Sequence, residues 1–231
     1  LILIIFTSLI VIVYASYSLY EDLHTYKVSA KKYQKVEKIY QYRNDPVTRL
    51  TSINDDYVGW IKIPGTQINY PVVMGDNNEF YLTHNYYKEE DKVGAIFMDF
   101  RNSIEELDNN LILYGHNMKD DSMFGAVLDY MDEDFFRKNR IIQFELQGRS
   151  IEWEVFSVYK TTDLDWMETE FSTDDKFDNF ASTIKEQSLF TNQTNIDETD
   201  TIVTLSTCTV RNGEERVIVH AKLKDAGEYN Q

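Results

Sequence analysis

The chain opens on Leu1 to Leu19, LILIIFTSLIVIVYASYSL, a run without a single charged residue. As an α-helix at about 1.5 Å per residue it would extend about 28 Å, close to the hydrocarbon thickness of a bilayer. The pattern predicts an uncleaved transmembrane anchor over 1–19. A cleaved signal peptide fits less well, because Tyr14 and Tyr17 flank the small pair Ala15-Ser16 and the apolar run is long for a signal. Beyond it, Leu19, Leu23, Tyr26, Ala30, Tyr33, Val36 and Tyr40 recur at three- and four-residue steps, the stripe of an amphipathic helix that continues the anchor outward. Asn44-Asp45-Pro46 then punctuates. Asp45 can cap and Pro46 can open a short helix with Val47, Leu50 and Ile53 on one side, so 20–54 reads as juxtamembrane and N-terminal helices.

From Tyr57 onward the period changes. Short runs rich in β-branched and aromatic residues, broken by Gly, Pro and Asn/Asp clusters, predict strands at 58–63, 67–73, 94–98, 110–115, 140–146, 150–159, 200–207 and 215–223. This is the signature of a mainly β sandwich or barrel over 55–224, followed by a tail at 225–231. Pro64-Gly65 and Gln147-Gly148-Arg149 read as turns, and Pro71 marks a strand edge or bulge. Two insertions carry helical spacing: Met123 to Lys138, and the stretch between Thr161 and Thr199, where Phe177, Phe180, Ile184 and Leu189 fall at helical steps. So long a connection inside a compact domain points to a functional loop.

Charge narrows the function. The net charge is −16, yet residues 25–50 hold a local excess of five positive charges, leaving the part from Thr51 onward near −19. Such a surface does not bind nucleic acid, since neutralising a phosphate backbone needs clustered Lys and Arg. The basic stretch beside the anchor is a solvated helix face or rests on anionic membrane lipid. One cysteine precludes an intramolecular disulfide, and the four histidines show no metal-ligand spacing; no cofactor is expected.

That cysteine, Cys208, sits at the end of one predicted strand, and Arg216 begins the next. Paired as a hairpin, the two residues face each other with β-carbons about 4.5–5.5 Å apart. Alternation sends Val203, Leu205, Val217, Val219 and Ala221 to the core and leaves Thr204, Ser206, Cys208, Arg216 and His220 on a more polar face. A free cysteine is most often a buried small hydrophobe. Here polar neighbours, a strand-end position and a permanent cation within reach favour a reactive thiolate instead. His116 is the candidate proton partner, because it follows the apolar strand Leu111–Tyr114 and Gly115, where a strand gives way to a loop. His220 lies about 13 Å beyond Arg216 along an extended strand, too far to serve. His84 reads as a surface residue and His24 as a solvated one.

Thr204-Leu205-Ser206-Thr207-Cys208 resembles the TLxTC motif of sortases, with the family's strand-initial Arg at Arg216 and strand-end His at His116. DDYVGWIKIPGTQINYPVV (55–73) and YGHNMKDDSMFG (114–125) are similar to class B members, as are the helical N-terminus and the long insertion before the cysteine strand; together these cover roughly 20–224. Thr209 departs from the pattern, standing where some class B members carry an acidic residue. The resemblance implies an eight-stranded β-barrel held on the outer side of a Gram-positive cell membrane by a single N-terminal span. It implies a cysteine transpeptidase that cleaves a C-terminal LPXTG-like or NPQTN-like sorting signal of a surface protein after its Thr. The acyl group then passes to an amine of peptidoglycan precursor, or of a pilin in polymerising members. Catalytic roles fall to Cys208, His116 and Arg216; Ser206 and Thr207 are expected to help shape the site as substrate contacts, with Thr207 reading equally well as a buried strand residue. Two other readings compete. A papain-like cysteine hydrolase would place its Cys at a helix start with His downstream, the reverse of the order here. A non-catalytic membrane-tethered binding module would have no need for Cys, His and Arg to converge.

Overall fold

The structure, a computed structural model, describes residues 2–42, 45–105, 107–208 and 213–224. Thr209, Asn44 and the expected tail 225–231 lie outside them. Eight strands close into a barrel, β1 (Tyr57–Lys62), β2 (Asn69–Val73), β3 (Ile96–Met98), β4 (Asn110–Tyr114), β5 (Ile141–Leu146), β6 (Arg149–Thr161), β7 (Ile202–Cys208) and β8 (Arg216–Leu223). Around the barrel they run β1-β2-β3-β4-β7-β8-β6-β5. The mainly β expectation holds, strand for strand. Pro71 lies in β2 just ahead of the pairing with β3, which starts at Val72.

Two pairings position everything that follows. β4 and β7 run parallel, with Tyr114 opposite Ser206, and β7 and β8 run antiparallel, with Cys208 opposite Arg216. Alternation behaves as expected on one side of these strands: Leu111, Leu113, Val203, Leu205, Val217, Val219 and Ala221 join the main core with Trp60, Phe144 and Trp153. The other side departs from expectation. Thr204, Ser206 and His220 are buried, because the insertion between β6 and β7 lays helix α4 (Asp174–Glu186) over this face. Phe177, Phe180, Ala181 and Ile184 of α4 pack there on Ile112, Phe156, Ile202 and Ile218 as a second core. Two of these polar residues, Thr204 and His220, are satisfied: Thr204 Oγ1 donates to Asn110 Oδ1 at 2.6 Å, and His220 sits between Thr204 Oγ1 (2.8 Å) and Tyr159 Oη (3.0 Å). A polar face is thus a roofed one. The other insertion is helical in two pieces, a 3-10 segment at Gly125–Met131 and α3 (Glu133–Lys138).

The N-terminal helix α1 (Ile2–Gln41) is continuous through the apolar run and out onto the barrel. Its contacts begin at Tyr26; Leu19 and Leu23 stay exposed. The inward place expected of Ala30 goes to Ser29, whose hydroxyl reaches buried Asp91 at 2.8 Å. Farther along, Tyr33 and Val36 are buried, Tyr40 stacks on Trp60 with ring centroids 4.0 Å apart, and Tyr40 Oη donates to Glu145 at 2.7 Å. In α2 (Pro46–Ile53), Asp45 caps the Thr48 amide, and Val47 and Leu50 pack inward. Ile53 is exposed, because Asn54 takes the next inward position and donates to Tyr81 Oη and the Tyr86 carbonyl.

Two expectations follow. A chain starting at residue 25 keeps the packed half of α1 and should retain its melting temperature. One starting at Asp45 loses buried Tyr33 and Val36, roughly 1.5–3 kcal/mol each, and should unfold markedly earlier. The second concerns His220, which burial pushes down to about 3. Between that value and the ordinary one near 6.5, the unfolded chain binds a proton that the folded chain refuses, so stability rises with pH across this window. Denaturant titrations at pH 7 and pH 5 should show His220→Gln losing about 2 kcal/mol less than the parent chain.

Candidate active site

Adjacent parallel strands leave a sheet by the same edge, about 4.8 Å apart. With Tyr114 opposite Ser206, the residues two positions on, His116 and Cys208, emerge side by side. Further bonds hold the exits together: the Gly115 amide donates to the Ser206 carbonyl at 3.3 Å, and Asn117 Nδ2 donates to the Cys208 carbonyl at 3.0 Å. From the third side, β8 delivers Arg216, whose Nη1 approaches Cys208 Sγ to 3.4 Å. The expected Cys208–Arg216 register is the observed one, and Cys208, His116 and Arg216 line one cavity of about 590 Å³.

His116 stands on a shelf of backbone. Its Nε2 lies 2.6 Å from the Leu82 carbonyl, and its own carbonyl accepts from the Phe124 amide at 3.0 Å. Two glycines make room. A β-carbon on Gly115 would fall 2.7 Å from Cγ of buried Phe124. Gly94, at φ +65, lies where a β-carbon would meet the Tyr81 carbonyl at 2.6 Å, the Leu82 carbonyl at 3.0 Å and His116 Cδ2 at 3.1 Å. The imidazole is therefore wedged between the Leu82 carbonyl and the backbone of Gly94.

Further lining includes Asn78, Leu82, Lys92, Tyr114 and Met167, with buried Ser206 among it. Among the described residues no carboxylate lines it, although the chain is strongly acidic; Lys92 and Arg216 supply fixed positive charge. Ser206 Oγ is buried without a hydrogen-bond partner among the described residues. Thr207, expected beside it as a substrate contact, points to the opposite face and does not line the cavity. His220 is walled off under α4, His84 stacks on Phe80, and His24 is exposed on α1. Sequence reasoning missed Asn78, Leu82, Lys92 and Met167. Tyr114 lay in a quoted motif without a role, and the Leu82 contact uses a backbone oxygen that no side-chain pattern signals.

The sortase-domain family model matches residues 61–224. Sortase B of Listeria monocytogenes is 40% identical over 182 residues, which cover 78% of this chain and 74% of that protein. The chain belongs to the sortase family. Among solved structures, sortase B from Bacillus anthracis in complex with AAEK1 superposes with a TM-score of 0.83 at 39% identity, covering 87% of this chain and 98% of that one. A Staphylococcus aureus sortase B–substrate complex does so with a TM-score of 0.80 at 35% identity, covering 87% and 98%. Sortases are cysteine transpeptidases that work at the cell surface, and this sortase chain carries one cysteine, at the mouth of its cavity.

The shelf generates a test. Gly94→Ala combines a left-handed backbone with a steric clash, and should cost about 1–3 kcal/mol of stability. It should also shift the His116 ring resonances in an NMR spectrum, whereas Gly75→Ala, whose β-carbon would meet only side-chain and distant backbone atoms, should leave them in place.

Proposed function

We propose that this sortase cleaves a C-terminal sorting signal after its Thr and transfers the new acyl group to an amine of peptidoglycan precursor. The observation that carries the reading is the 3.4 Å approach of Arg216 Nη1 to Cys208 Sγ in a cation-lined cleft that His116 shares. The Cys208 thiolate attacks the Thr carbonyl carbon, and a tetrahedral oxyanion forms. Arg216 hydrogen-bonds that oxygen, with its planar fork able to hold thiolate and oxyanion in turn. The C–N bond to the following residue breaks as protonated His116 gives its proton to the departing amine, leaving a thioester on Cys208. An incoming amine attacks the thioester, His116 takes its proton, and the thiolate leaves. The unpartnered Ser206 hydroxyl supports a substrate polar group at the floor, since a buried unsatisfied hydroxyl is costly until it finds one. The similarity to a S. aureus sortase B–substrate complex supports substrate binding by this fold.

The helix α1 supports a reading of the arrangement in the cell. Residues 1–19 are proposed to cross the membrane once, with 20–54 as the juxtamembrane helices and 55–224 as the catalytic domain on the extracytoplasmic side. An uncharged helix of this length, with the apolar part free of any packing against the barrel, supports that arrangement.

Two variants test the chemistry. Cys208→Ala should abolish formation of acyl product from a labelled sorting-signal peptide and leave the melting temperature unchanged, because the half-buried thiol is not part of either core. Arg216→Lys keeps a charge near the sulfur but loses the fork, and should lower kcat by about 10²–10³-fold, with kcat/KM falling in parallel. A rise in KM alone would make Arg216 a substrate-binding residue and leave the oxyanion to backbone amides.

A further inference from the structure

Behind the cavity wall lies a carboxylate that the proposed chemistry leaves unused. Asp99, directly after β3, is fully buried. Its Oδ2 accepts from Tyr114 Oη at 2.7 Å, Asn78 Nδ2 at 2.9 Å and Arg101 Nη2 at 2.8 Å. Its Oδ1 accepts from Arg101 Nε at 2.8 Å and from the Arg101 amide at 3.0 Å. Arg101 Nη2 reaches further, to the Met167 carbonyl at 3.0 Å. Burial by itself would raise the Asp99 carboxyl, but the hydrogen bonds from Arg101, Tyr114 and Asn78 outweigh it and hold it below the usual carboxylate range.

These bonds join three separate stretches of chain. Asn78 belongs to the loop after β2, Tyr114 ends β4 two residues before His116, and Met167 closes the 3-10 turn at the start of the insertion. All three line the cleft, whereas Asp99 and Arg101 do not: Asp99 is buried, and Arg101 lines a neighbouring cavity that shares Met167. Asp99 is buried while the Arg101 side chain is partly exposed; burying a carboxylate costs desolvation that offsets much of the attraction, and the bidentate fork suits the pair to fixing one arrangement. None of the hydrogen bonds described for Asp99 goes to Cys208, His116 or Arg216. We propose that Asp99, bridged through Arg101, is a positioning residue for the transpeptidation: it holds the Asn78 wall, the Tyr114 floor and the Met167 wall at the spacing that the sorting peptide needs. It acts on peptide binding and not on the thiol. The inference rests on the reading of this cavity as the sorting-signal cleft.

Asp99→Asn keeps the size but turns one acceptor oxygen into a donor, so the amide cannot serve Tyr114, Asn78 and the Arg101 fork together. Arg101→Met cuts only the link to Met167 and the fork, and Arg101→Lys restores a cation without the fork. The assay uses the NPQTN-like or LPXTG-like peptide that the parent chain cleaves best, with Cys208 alkylation by iodoacetamide followed across pH in the same variants. Asp99→Asn should raise KM at least about tenfold with kcat changed less than about threefold, and leave the alkylation profile where it was. Arg101→Met should give a smaller rise in KM, which Arg101→Lys partly rescues; this arm carries the test if Asp99→Asn does not fold. An unchanged KM, or a loss of kcat accompanied by a shifted alkylation profile, would overturn the role given to Asp99. A parent chain that alkylates normally but cleaves no sorting peptide would overturn the reading of the cleft itself.

Discussion

The parallel pairing of β4 with β7 is the constraint on which the site depends. An antiparallel neighbour would send its chain out at the opposite edge, and His116 would leave β4 far from Cys208. Parallel strands need a long crossover, and here the crossover contains α3, β5, β6 and α4. The same connection that makes the pairing possible thus supplies the helix that roofs the outer side of β7 and β8. Where that roof stops, at the ends of β4 and β7, the cleft begins. Catalytic geometry and insertion are two results of one topological choice.

The roof also explains a contrast of charge. The chain is strongly acidic, yet the cleft shows Lys92 and Arg216 and no carboxylate among its described lining. The buried acid that bonds two cleft residues, Asp99, does not itself line the cleft and is paired with the Arg101 fork. Cys208 consequently shares its described lining with Lys92 and Arg216 and with no acid. Surface acidity sets solubility and long-range field, while the local field at the sulfur follows from a few side chains.

Much of this was legible in the sequence, and the part that was not has physical reasons. Period-two alternation located the eight strands and put Cys208 opposite Arg216, because hairpin register is a local property. The second strand partner of β7, β4, was not readable, since parallel pairing across a long crossover leaves no local mark; His116 was found as a strand-end residue and by resemblance, without the pairing that brings it to Cys208. Alternation likewise divided the faces of β7 and β8 correctly but took the polar side for an open one. Thr204, Asn110, Tyr159 and His220 satisfy one another beneath α4, and a composition-based reading cannot tell a satisfied polar network from a wet surface. On α1, Ser29 displaced Ala30 from the buried stripe for a similar reason: a hydrogen bond to Asp91 outweighed hydrophobic periodicity.

The unbroken course of α1 ties these features to the proposed membrane setting. Tyr33 Oη donates to the Gly94 carbonyl at 2.6 Å, and the Gly94 backbone backs directly onto the His116 ring. Tyr33 lies fourteen residues past Leu19, about 21 Å along a helix at 1.5 Å per residue. Since the helix is continuous between those points and clamped from Ser29 to Tyr40, the distance from the proposed span to the histidine shelf is set by helical rise and not by a flexible linker. A rigid stand-off of that size would hold the cleft at a fixed height above the bilayer. Donor and acceptor substrates that are themselves tethered to the same surface would then meet the cleft at a matched level, and the ordering cost of each encounter would be lower than for a freely tumbling domain.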